Sequence, residues 1–375
     1  MKNAQFLVWM IAVLSASASA RPAYQLTELE PLPGYSSSCA LGINDQGLIV
    51  GYSYNEQADP PDSMASMWRG AQVISLGTLG GSESLAAAVN RYGRVVGSSG
   101  VPGGMGHAFS FRQDKSRLHD LLPGQEASAF ALNDRGMVVG QLGSSSEAFM
   151  VHHGVVTQLG TLGGESSWAA GINNDGTIVG VSQIRSDTGE LRPFLYAHGA
   201  MTDLGSLGGN AGATAINAAG VVVGWSEQAG AGLDGPPIQQ AFVYSGGALQ
   251  ALENPPKMDT CSASALNDGD EVVGYCSAGL GPYRAVKWRG GKVYDLFRLI
   301  DDGVAGKWKS STANGVNRRG QIAGCGWLDK ARRGFALNPI RAIELDTSTE
   351  RPSPTGDTFV MTSWRKTRPI GAVAR

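Results

Sequence analysis

The stretch Ala169-Ala-Gly-Ile-Asn-Asn-Asp-Gly-Thr-Ile-Val-Gly180 decides the fold, because the chain repeats its frame seven times. Its anchoring asparagine recurs as Asn44, Asn90, Asn133, Asn173, Asn217, Asn267 and Asn317, spaced by 40 to 50 residues. Four residues before each stands an alanine (Ala40, Ala86, Ala129, Ala169, Ala213, Ala263, Ala313), and seven after each a glycine (Gly51, Gly97, Gly140, Gly180, Gly224, Gly274, Gly324). Periodicity of that length marks a repeat architecture, in which each unit buries its apolar faces against its neighbours.

Working outward from the phrase, each unit contains four short runs bounded by turn residues. A small-residue run ends at the asparagine, as in Ala213-Thr-Ala-Ile-Asn217, and an apolar run follows, as in Gly220-Val-Val-Val-Gly224. Asn-x-x-Gly between two apolar runs predicts a hairpin, since both residues tolerate positive φ; Asp270 replaces the glycine in the sixth copy. The third run alternates with period two, as in Phe109/Phe111, Phe194/Tyr196 and Phe242/Tyr244, and Trp68 and Trp288 hold the second aromatic place in their copies. The fourth reads apolar-x-x-Leu, as in Met201-Thr-Asp-Leu204. Four strands per unit is the blade of a β-propeller, so the chain is expected to be all-β and seven-bladed. A β-solenoid has shorter coils and lacks the double hairpin.

The seventh copy lacks a fourth strand after Arg333-Gly-Phe-Ala-Leu337, whereas Leu26-Thr-Glu-Leu29 carries the fourth-strand frame ahead of the first copy. Residues 24–32 are therefore expected to complete blade seven and close the ring, which removes exposed sheet edges. This order puts the small-residue strand innermost, where seven sheets converge. The resulting domain reading is a signal peptide over 1–20, a propeller over 21–339 and a flexible tail over 340–375. Lys2, the apolar run Phe6–Leu14 and Ala18-Ser19-Ala20 fit a cleaved export signal, and no segment is long and apolar enough to span a bilayer. The expected compartment is the periplasm or the exterior.

The 53 glycines in 375 residues are about twice the ~7% of average chains, yet they fall at fixed repeat positions, as turn residues do. A formal net charge of −2 is too small to suggest nucleic acid as a partner. Of the four cysteines, Cys261 and Cys276 sit symmetrically about the Asn267–Asp270 turn and are expected to face each other as a disulfide. Cys39 and Cys325 become a possible second pair if the ring closes, because closure brings blades one and seven together.

The phrases Leu204-Gly-Ser-Leu-Gly-Gly209, Gly171-Ile-Asn-Asn-Asp-Gly176 and His107-Ala-Phe109 resemble the HAF-type extracellular repeat family, named for that His-Ala-Phe. The resemblance covers about Leu26–Asn338. It implies a secreted or surface protein of bacteria and carries over no activity.

Candidate chemistry is sparse. Gly77-Thr-Leu-Gly-Gly81 and its copies could cradle an anion, but no helix follows, and a blade-to-blade crossing explains the glycines. The Asn-Asp turns lack the closely spaced oxygen ligands of a calcium loop, and no Cys/His spacing suits zinc, so neither a metal nor a cofactor is expected. None of His107, His119, His152, His153 and His198 neighbours a plausible nucleophile in sequence. The loops between second and third strands, and the crossings between blades, vary most and share one face. Trp168, Arg185, Asp187, Glu190, Tyr283, Lys307 and Trp308 are the binding candidates there. The expected function is a non-catalytic, monomeric binding or scaffold module, more plausibly not an enzyme, that recognises a protein or glycan of the cell envelope. The alternative is a polysaccharide lyase or hydrolase at the mouth of the central channel, with Asp187, Glu190 and Asp234 as its acids.

Overall fold

The computed structural model describes residues 22–56, 62–228 and 238–340. The expected signal peptide, the tail beyond Ile340 and Asp234 lie outside the described residues. Seven four-stranded antiparallel sheets are present, six of them built from consecutive strands. In the seventh, Tyr24–Leu29 pairs with Ala331–Pro339, with Leu26 opposite Leu337. The chain is thus a seven-bladed β-propeller closed by its N-terminal strand. Among the described residues helix is confined to single turns, Leu296–Leu299 and Asp302–Ala305, and no helix is long and apolar enough to cross a membrane.

The repeat positions have separate physical causes. Within each blade the first pair of strands carries a β-bulge between the alanine and the small residue two places on, for instance Ala40/Gly42 and Ala313/Gly315. The bulge throws the preceding carbonyl toward the second strand. A Cβ on Gly97 would lie 1.9 Å from the Leu85 carbonyl oxygen, and one on Gly324 2.1 Å from that of Thr312. Only glycine fits there. The same bare position admits the third-strand aromatic: Phe109, Phe149, Phe194, Phe242 and Phe335 each stand opposite their blade's glycine and are fully buried. Each such ring contributes about 1.5–3 kcal/mol by leaving water. In blades one and six, Ser66 and Val286 are opposite the glycine, and Trp68 and Trp288 supply the bulk two residues on.

The asparagine does something the hairpin reading did not anticipate. Positive φ falls on the turn glycines, and on Asp270 in the sixth blade, never on the asparagine. Its side chain instead ties blade to blade. Each Oδ1 accepts from two backbone N–H groups of its own turn, as Asn133 does from Arg135 and Met137. Each Nδ2 donates to the next asparagine's carbonyl: Asn44 to Asn90, Asn90 to Asn133, Asn133 to Asn173, Asn173 to Asn217, Asn217 to Asn267, Asn267 to Asn317, and Asn317 back to Asn44. The distances run from 2.9 to 3.3 Å and all seven residues are buried. Only a side chain with both an acceptor and a donor arm can do this.

Both disulfides are formed. Cys261–Cys276 joins directly opposed residues of one hairpin, while Cys39–Cys325 joins blades one and seven across 286 residues. Lys287 Nζ, donating to the Tyr24 hydroxyl at 2.8 Å, fastens the N-terminal strand to blade six as well.

Candidate functional site

The two ends of the channel differ in kind. At the end that carries the Asn turns, the residues preceding the asparagines (Ile43, Val89, Leu132, Ile172, Ile216, Leu266, Val316) line the mouth beneath the asparagine ring. Outside them the residues that follow the asparagines cross-link neighbouring turns. The Asp45 carboxylate accepts from the Arg318 backbone N–H, Asp134 from Arg91 and Asp268 from Ala218, and Arg318 Nε also donates to Asp268 at 2.8 Å. The three acids and two arginines of this rim are spent on one another.

The other end receives the crossings between blades. Four crossings dock through a leucine N–H onto a second-strand serine: Leu32 to Ser53, Leu79 to Ser99, Leu162 to Ser182 and Leu207 to Ser226, at 2.8 to 2.9 Å. The glycine pair lets the chain pass close, since a Cβ on Gly81 would lie 2.5 Å from the Gly100 backbone. Between blades two and three this rim opens into a cleft of about 370 Å³, within the range of small-ligand sites. Glu83 and Glu126 both line it, with Ser84, Ser98, Ser128 and Gln141. Each glutamate stands seven residues before its asparagine, at the entry to an innermost strand, so the two occupy equivalent places on adjacent blades. The remaining copies have Ser37, Ser166, Asn210, Thr260 and Ser310 there.

The sequence-predicted residues do not converge on this cleft. Arg185 and Asp187 pair with each other at 2.8 Å on an exposed loop, and Glu190 pairs with Arg192. The hydrogen bond from Arg185 holds the Asp187 carboxyl below its ordinary range, so it stays ionised at neutral pH and is unsuited to give up a proton. Trp168 is half-buried on an inner strand opposite Val181, away from the cleft. Tyr283 is exposed and packs edge-on against Tyr275 with ring centroids 4.8 Å apart, and Lys307 is exposed. Trp308 is no surface residue. The single-turn helices fold its loop back, and its ring packs against Phe297 and Phe335 in the core of blade seven.

Three of the five histidines are accounted for by structure. His107 Nδ1 lies 2.8 Å from Asp120 Oδ2, clamping third strand to fourth, and Arg284 with Asp295 does the same in blade six. His153 and His198 occupy positive-φ turn positions. Among the described residues no cluster of three or more His, Cys, Asp or Glu is arranged to hold a metal.

No protein-family model matches the chain, and no curated protein matches it. Solved structures do match. The β-propeller domain of the trilobed protease of Pyrococcus furiosus is similar at 8% identity, with a TM-score of 0.55, over 80% of this chain and 95% of that one. The acylaminoacyl peptidase of Pyrococcus horikoshii is similar at 9% identity, with a TM-score of 0.51, over 80% of this chain. The chain spans about half the length of that peptidase, 52%. At such identities the likeness is one of fold. These two propellers nevertheless belong to peptidases, and this finding overturns the expectation of a non-catalytic scaffold that leans away from enzymes. The expectation rested on the absence of catalytic spacing along the chain, and in a ring of repeats residues 40 or more positions apart stand side by side.

Proposed function

We propose that the protein is a polysaccharide-acting hydrolase whose site is the cleft between blades two and three at the channel rim. The observation that carries this reading is the pair Glu83 and Glu126. They line one cleft, and unlike Asp187 and Glu190 neither enters an ion pair among the described residues. Glycoside cleavage needs two carboxyl groups flanking the bond. One, protonated, donates to the departing oxygen; the other, ionised, activates water or attacks the sugar carbon. The hydroxyls and amide of Ser84, Ser98, Ser128 and Gln141 suit a ligand rich in hydroxyl groups. We read it further as an exported monomer of the HAF-repeat type, and the two disulfides support the part of that reading that places it outside the cytoplasm.

The test is turnover of a panel of envelope and plant polysaccharides, followed by reducing-end release. Glu83→Gln and Glu126→Gln should each lower turnover by roughly 100-fold or more while leaving the urea midpoint unchanged. Either variant retaining full activity, or silence of the unaltered protein across the panel, overturns the reading.

A further inference from the structure

The fourth residue after each asparagine fills a slot against the next blade's turn. Leu48, Arg94, Met137, Thr177, Val221, Glu271 and Gln321 occupy it in turn. Leu48 comes within 3.7 Å of a Cβ placed on Gly93, Met137 within 3.5 Å of one on Gly176, and Gln321 within 3.3 Å of one on Gly47. Two of the seven occupants are charged, and the fold treats them oppositely. Glu271 is buried and meets Lys287 at 3.3 Å and Arg289 at 3.4 Å, so its counter-ions are built in.

Arg94 has no such provision. Its Nη1 donates to the Gly136 carbonyl at 3.2 Å, and its Nε is buried without a partner. Its surroundings add positive charge: Arg112, Lys115 and Arg117 line the same cleft of about 660 Å³, together with His119 and Asp120. The carboxylates nearby are already engaged, Asp114 with Arg112 at 3.0 Å, Asp120 with His107 at 2.8 Å and Asp134 with Arg91 at 3.5 Å. Burial, and then the charge of Arg112, push the Arg94 guanidinium below its ordinary pKa, the direction expected of a cation lacking a counter-charge. A partly buried, uncompensated charge costs folding free energy. A bound anion would recover it.

We propose that this cleft, on the flank of blade two beside the Asn turn of blade three, binds the oxyanion of a phosphate or sulfate ester. Arg94 is the inner counter-charge, and Lys115 and Arg117 are the outer contacts. Guanidinium forks match tetrahedral oxyanions with paired, charge-assisted hydrogen bonds. Two further hollows share Arg94 as a wall, leaving room for the groups that flank the ester. The site shares no lining residue with the cleft of Glu83 and Glu126 and does not depend on their role.

Isothermal titration calorimetry on the full chain tests this with inorganic phosphate, inorganic sulfate, glucose 6-phosphate, glucose 6-sulfate and plain glucose. The oxyanions should bind and glucose should not, with the stronger of the phosphate and sulfate series naming the source. Arg94→Met places blade three's own residue in the slot and should weaken binding roughly tenfold or more. The exposed double variant Lys115→Gln/Arg117→Gln should weaken it as well, and it decides the matter if Arg94→Met fails to fold. Arg185→Gln, which removes a cation elsewhere, should leave the affinity unchanged. No binding by the unaltered protein, or equal affinity in the Arg94 and Arg185 variants, overturns the proposal.

Discussion

Blade six and blade seven share one plan but are assembled differently. Blade six is continuous from Thr260 to Asp295, and its disulfide only tightens a hairpin already held by register. Blade seven takes its outer strand from the opposite end of the chain and is fastened by contacts that span the whole sequence. These include the Cys39–Cys325 bridge, Asn314 Nδ2 to the Ala40 carbonyl at 2.8 Å, and the Gly334 N–H to Ser38 Oγ at 3.0 Å. The difference teaches that ring closure concentrates long-range entropy cost at one seam, and that the strongest fasteners are placed there.

The largest effect should separate the two disulfides. In the chain-entropy view a cross-link stabilises by the logarithm of the loop it closes. Replacing Cys39 and Cys325 by serine should therefore cost about 5–6 kcal/mol, against about 3 kcal/mol for Cys261 and Cys276. Urea unfolding of both double variants reads this directly, and a larger loss at Cys261 and Cys276 would break the comparison between the blades. A smaller effect should sharpen it. Asn317→Ala removes the bond that closes the ring on Asn44 and strands buried backbone groups, costing roughly 2–4 kcal/mol. Asn173→Ala, far from the seam, should cost a similar amount, because the ring treats all blades alike; a much larger loss at Asn317 would mean that the seam also bears the ring. Smallest of all, Asp187→Asn should leave the urea midpoint and any turnover where they were, since its ion pair lies in open solvent.

Most of the architecture was legible in the sequence because the repeat repeats its physics. The alanines, the bulge glycine and the third-strand aromatics each answer one packing constraint seven times, and the frame of Leu26–Leu29 gave away the closing strand. Cys261 and Cys276 were readable from their symmetry about the turn, because the Ala263/Ala265 bulge offsets the extra residue of a turn that pairs Leu266 with Val272. The asparagine was misattributed, since a turn role sufficed and nothing local signals a bond to a residue about 45 positions on. Trp308 looked like a loop aromatic because the fold-back of Leu296–Ala305 breaks the period. The cleft was hidden for a related reason. Glu83 and Glu126 are each unremarkable alone, and only aligning the copies shows two acids in a place otherwise held by serine, threonine or asparagine.

The asparagine ring has a further consequence. Its seven bonds all run in the same sense around the axis, each donor arm pointing to the following blade. Each bond joins a side-chain donor to a main-chain acceptor, so the circuit passes alternately through side chain and backbone, and its dipoles cancel around the circle. A circuit has no terminus. Removing one asparagine side chain takes away one donor arm but leaves its backbone carbonyl to accept from the asparagine behind, so losses at well-separated asparagines should add.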